Sequence, residues 1–120
     1  MTNETSPWIR SAFWTGKVKA GAEERFREHI DTVLLSGLKA LPGVQGVAAL
    51  WPRNLEDSPP AIACQVLVFF ANRAEVERML SSDERRQLRP QVMQAVAMFD
   101  GSISHIEFVT DGKTSPVLTS

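Results

Sequence analysis

The stretch from Ala22 to Val44, AEERFREHIDTVLLSGLKALPGV, constrains this chain more than any other. Ala22, Phe26, Ile30, Val33, Leu34, Gly37 and Leu41 recur at helical period and form one apolar stripe. Glu23, Glu24, Arg27, Glu28 and Asp31 cover the other side, and the two glutamates of the first turn complement the helix dipole. Leu41-Pro42-Gly43 ends the helix, because proline cannot donate a backbone hydrogen bond and glycine accepts a left-handed cap. A helix with one apolar stripe must lie on an apolar layer. Gly37 within it is expected to permit close packing on a sheet.

The flanking segments supply that sheet. Trp8 to Val18 is rich in aromatic and β-branched residues and reads as a first strand, Val44 to Trp51 as a second and Ala61 to Phe70 as a third. The third is nearly all apolar, as in a strand covered on both faces, so its polar member Gln65 needs a partner. Asn72-Arg73-Ala74-Glu75 has capping-box spacing and opens a short helix with Val76, Met79 and Leu80 on its apolar face. Ser81-Ser82-Asp83 restarts a helix, and Leu88, Val92, Ala95, Val96 and Phe99 make a second stripe. Pro90 falls inside that run and is expected to open a fresh segment from its first turn. Asp100-Gly101 reads as a tight turn, and Ser102 to Thr110 alternates as a fourth strand. The order β-α-β-β-α-β specifies an α+β, ferredoxin-like sandwich: a four-stranded antiparallel sheet with helices on one face. Residues 1–120 are expected to form a single domain, ordered over about 8–110, with polar tails at both ends.

Helices cover only one face of such a sheet. Because the third strand is apolar on both sides, the other face would be a wet hydrophobic patch unless something covered it. Two sheets closing face to face about a two-fold axis would do so, making a homodimeric barrel able to enclose a ligand hollow. Composition narrows the partners. A net charge of -1 and the lack of any Lys/Arg cluster argue against nucleic acid. The lone cysteine, Cys64, allows no internal disulfide and fits a reducing compartment. Neither a signal-peptide pattern nor an apolar run long enough for a bilayer occurs, so a cytoplasmic protein away from the membrane is expected.

Phe26-Arg27-Glu28-His29, followed by Leu41-Pro42-Gly43-Val44, resembles the first half of the EthD-like family of the dimeric α+β-barrel superfamily, whose pattern there is roughly F-x-x-H-W-x-x-x-H and then L-P-G-[LV]. The second half is similar in kind: an apolar strand, an Asn-capped helix, Ser82-Asp83-Glu84, then Phe99-Asp100 before the last strand. The resemblance spans Trp8 to Val109. Ile30 replaces the family's tryptophan and Leu34 its second histidine, so only His29 carries over, as a position. The resemblance implies a homodimer with a pocket in each half-barrel and no metal or organic cofactor. EthD itself is associated with an oxidative ether-degradation system that includes a cytochrome P450. Relatives on the same fold include cofactor-free monooxygenases of polyketide quinols, muconolactone isomerase and aromatic polyketide cyclases. By that resemblance this chain is expected to be an enzyme acting on an apolar or aromatic compound by cofactor-free oxidation, isomerisation or cyclisation. The competing class is a non-catalytic protein that binds a hydrophobic ligand or assists an oxygenase. Fold-level analogy does not choose between them.

The residues offer candidates for that chemistry. In the fourth strand Ile103, His105, Glu107 and Val109 share one face, and Ser104, Ile106 and Phe108 the other. Ile106 and Phe108 suit the helix-covered side, which sends His105 and Glu107 to the barrel side. His105 is the expected acid or base, with Glu107 orienting it; the plainer alternative is a histidine satisfied at a dimer interface. Trp14, Trp51, Phe70 and Phe99 are suited to an aromatic substrate pocket and equally to core packing. Gln65 is suited to a ligand carbonyl or to a neighbour across the barrel. His29, at the edge of the helix stripe, is either a substrate contact or a boundary histidine. No metal site is expected, since the histidines lack H-x-x-x-H spacing and no cysteine pair or carboxylate cluster accompanies them. Nothing basic lies near Cys64 in sequence, which argues against a nucleophile. The polar loop Pro52 to Pro60 is long enough for a lid or a dimer arm.

Overall fold

The computed structural model of the chain describes residues 7–109. The expected tails fall outside them, apart from Pro7, as does Thr110 at the end of the fourth strand. Strand β1 is Trp8–Val18. A helical rod comes next: α1 (Glu23–Glu28), a π-helical turn (His29–Leu34) and α2 (Leu35–Lys39). Then come β2 (Gly46–Leu50), β3 (Ile62–Phe70), α3 (Arg73–Leu80), α4 (Asp83–Ala97) and β4 (Phe99–Val109). The sheet order is β2-β3-β1-β4 with every pair antiparallel, so β1 and β3 are central. This is the ferredoxin-like arrangement that the element order demands.

The two faces of the sheet differ in what covers them. Trp14, Cys64, Val66, Val68 and Phe70 point under the helices and join Phe26, Ile30 and Leu34 in one buried cluster. Trp14 meets Phe26 and Phe99 edge-on, with ring centroids 5.4 and 5.3 Å apart, and Phe26 stacks on Phe99 at 5.7 Å. On the opposite face Ile9 stands in register with Phe69 and Phe108, and Ser11 with Leu67 and Ile106. That face carries no helix, and Ile106 and Phe108 on it are exposed.

Burial along the rod steps by fours, through Ala22, Phe26, Ile30 and Leu34. A uniform α-helix of 3.6 residues per turn would carry such a series off one face. The wider π turn at His29–Leu34 keeps it in line. Val33, expected in the stripe, is therefore rotated out and 41% exposed. Thr32 and Ser36 steady the turn by donating to the carbonyls of Glu28 and Thr32, at 2.7 and 2.8 Å. Gly37 does serve a close approach, but against Leu88 of α4 rather than the sheet.

Other boundaries also move. Helix α4 runs unbroken through Pro90, so no fresh segment begins there. Pro90 is on the exposed side, where a carbonyl left without a donor can be hydrated. The helix is capped by Ser82, whose hydroxyl accepts the Arg85 N–H at 3.2 Å. Asn72 caps α3 through the Glu75 N–H at 3.1 Å, while the Glu75 carboxylate turns to Arg78 rather than back to the cap. Asp100 and Gly101 lie inside β4 instead of forming a turn. Gly101 faces Gly16 across the β1–β4 pair, and a side chain on either would strike the other strand's backbone. The second strand stops at Leu50 and leaves Trp51 outside the sheet.

Candidate functional site

A cavity of about 240 Å³ lies between the helix layer and the sheet. Its floor is Ala12 and Trp14 of β1 with Val66 and Val68 of β3. Leu34, Leu38 and Leu41 close one side, and Leu88 and Val92 of α4 the other. Its rim is cationic: Arg10 from β1, Arg85, Arg86 and Arg89 from α4, with His105 from β4 among them. The volume is below the roughly 300–1,000 Å³ usual for drug-sized ligands, which sets the scale of an occupant at one or two rings.

The register explains how His105 arrives there. Ala12 pairs with His105, Trp14 with Ile103 and Arg10 with Glu107, and paired residues share a face. Since Ala12, Trp14 and Arg10 line the cavity, the His105 face is the helix-covered one. The expected orientation of β4 is thus reversed: Ile106 and Phe108 are on the open face, where Phe108 meets Phe13 edge-on at 6.4 Å. Both faces of β4 carry apolar residues, so alternation alone separates the faces without saying which one the helices cover.

His105 is at the rim with part of its surface in solvent. Burial of the rest holds its pKa below the usual 6.5, the charges of Arg10 and Arg85 push it the same way, and Glu107 opposes them. Three of these four influences favour the neutral imidazole over the imidazolium. Glu107 is held elsewhere: it accepts from the Trp8 indole at 2.8 Å and from Arg10 at 3.1 Å, with Arg73 at 3.9 Å. It makes no hydrogen bond to His105 among the described residues and acts on it through charge.

The remaining candidates separate. Trp14 lines the cavity and is 2% exposed, and its indole N–H has no acceptor among the described residues. Phe70 and Phe99 belong to the packed core and are outside the cavity lining. Trp51 packs edge-on against Phe26 at the margin of the core, with ring centroids 6.1 Å apart, the Arg27 guanidinium 4.7 Å from its ring centre and its indole donating to Asp31 at 3.3 Å. Gln65 is on the open face and donates to Ser11 at 2.8 Å, a neighbour on the adjacent strand. His29 reaches across to α4, its Nε2–H donating to the Gln91 carbonyl at 2.7 Å. Burial, and secondarily the Asp31 charge, push the Cys64 thiol up to about 12, far from a reactive thiolate. Among the described residues no three metal-ligating side chains gather, and no helix is long and apolar enough to cross a membrane.

The arginines of α4 went unread in the sequence. Arg85, Leu88, Arg89 and Val92 are spaced i, i+3, i+4, i+7, so two cations interleave with the apolar stripe of an inward-facing helix. A search restricted to acids, bases and aromatics passes over that pattern.

No protein-family model and no curated protein matches the chain. Solved structures match its fold. An ethyl tert-butyl ether degradation (EthD) family protein from Bacillus halodurans C-125 superimposes with a TM-score of 0.68 at 9% identity, covering 85% of this chain and 96% of the other. SnoaB, a cofactor-independent oxygenase from Streptomyces nogalater, gives 0.61 at 12% identity over 97% and 100% of the two chains. A dabb family protein with a ferredoxin-like fold from Mesorhizobium loti gives 0.61 at 18% identity over 89% and 99%. The fold implied by the EthD-like resemblance is the fold found.

Proposed function

We propose that this protein is a small-molecule enzyme that holds an apolar or aromatic compound between its helix layer and sheet and removes a proton from it with His105, without a bound cofactor. The observation that carries this reading is an imidazole placed at the mouth of an apolar cavity, where burial and two arginines favour its neutral form. A neutral imidazole is the base form, available at physiological pH. The arginine charge beside it favours the anion that deprotonation leaves on the substrate. Such an anion can react with dioxygen, rearrange or close a ring, and the oxygenase activity named for SnoaB favours the first course. Homodimerisation through the open sheet face belongs to this reading, supported by the apolar residues there and by a fold neighbour described as a dimeric ferredoxin-like protein.

The test is proton exchange. Carbon acids of one or two rings, such as 2-tetralone, are incubated with the protein in D₂O and followed by proton NMR. Wild type is expected to accelerate deuterium incorporation next to the carbonyl, and His105→Gln to lose about 10²-fold of that rate. An unchanged rate in His105→Gln would overturn the assignment of His105 as the base, and no acceleration by wild type would leave the cavity as a binding site only.

A further inference from the structure

We infer that the cavity is built for an anionic compound, an apolar body bearing a carboxylate or comparably acidic oxygen group, and that Arg85 and Arg89 are the residues that read the anion. This rests on the cavity being a ligand site, as proposed above, and goes beyond it by fixing the charge of the occupant.

The first ground is the polar inventory of the lining. It contains four guanidinium groups, an imidazole and an indole, and no Asp or Glu. Every one of these except the imidazole is donor-only. A neutral hydrocarbon offers none of these donors an acceptor. A ligand with acceptor oxygens matches the donors.

The second ground is which arginines remain uncommitted. Arg10 is paired with Glu107 at 3.1 Å, and Arg86 with Asp83 in the first turn of α4. Among the described residues Arg85 and Arg89 have no ion-pair partner. They are one turn apart on the same side of α4, and Arg85 is near enough for its charge to act on His105. A carboxylate between two guanidinium groups one turn apart can take hydrogen bonds from both. The apolar walls then hold the body of the molecule, with the acidic group fixed at the rim beside the imidazole.

The test compares two probes of equal shape and different charge, 2-naphthoate and 2-naphthamide. Affinities come from calorimetry, and occupancy of the cavity from the ring resonances of His105 in the whole protein. Wild type is expected to bind the naphthoate at least ~10-fold more tightly, a gap that narrows as salt rises. The bound carboxylate should raise the His105 titration midpoint, while the amide should not. The Arg85→Gln/Arg89→Gln double variant should lose the preference while still binding the amide, and Arg25→Gln on α1 should keep it. Equal affinity for both probes, or a preference that survives the double variant, overturns the assignment and leaves the cavity reading standing. If neither probe at millimolar concentration disturbs His105, the cavity is no ligand site and both readings fall together.

Discussion

His105 owes its character to three neighbours on two strands and a helix. Burial, Arg10 and Arg85 favour the neutral ring, and Glu107 alone favours the charged one. In wild type the acid limb of any His105-dependent rate should therefore have its midpoint below 6.5, because the base form persists to lower pH than in a free histidine. Removing the one charge that raises the midpoint, by Glu107→Gln, should move that limb lower still, readable as a histidine titration by NMR. A midpoint that rises in Glu107→Gln would mean that freed Arg10 swings away from the ring. The strand alternation grouped His105 with Glu107 correctly in the sequence. What alternation lacks is the identity of the covered face, and in β4 the apolar pair Ile106 and Phe108 pointed to the wrong one. The rim arginines escaped for a related reason, since a cation within an apolar stripe is ordinarily read as the flank of a solvated face.

At the scale of elements, the strands and helices were legible because their periods and stop signals are strong. The irregularities were not, because each depends on a partner far along the chain. Leu34 is buried and Val33 is not only because the π turn widens the rod, and a stripe drawn at 3.6 residues accepts both. Asp100-Gly101 carries a turn signature, yet Gly101 is in β4 because Gly16 approaches it there. At a φ of 155° and against the Thr15 carbonyl, Gly101→Ala should cost on the order of 3 kcal/mol in chemical denaturation. The rod and α4 are tied by the His29 hydrogen bond to Gln91, so His29→Ala should cost about 1 kcal/mol by the same measurement. A loss near zero would show that the contact is satisfied equally well by water.

For the molecule as a whole, the two faces of one sheet have divided the work. The helix-covered face carries the cavity, and the open face carries Ile9, Phe13, Leu67, Phe69, Ile106 and Phe108. A second copy covering that open face would explain its apolar content, and the site would then be within each subunit rather than in a hollow between them. Phe108→Glu should therefore shift sedimentation from dimer to monomer while ligand binding at the cavity persists. Where the ligand sits can be read from isotope-filtered NOEs between bound 2-naphthoate and assigned methyl groups. A ligand held between helices and sheet predicts contacts to Leu34, Leu38, Val66 and Val92. Contacts to Ile9, Leu67 and Ile106 instead would put it on the open face and contradict that placement.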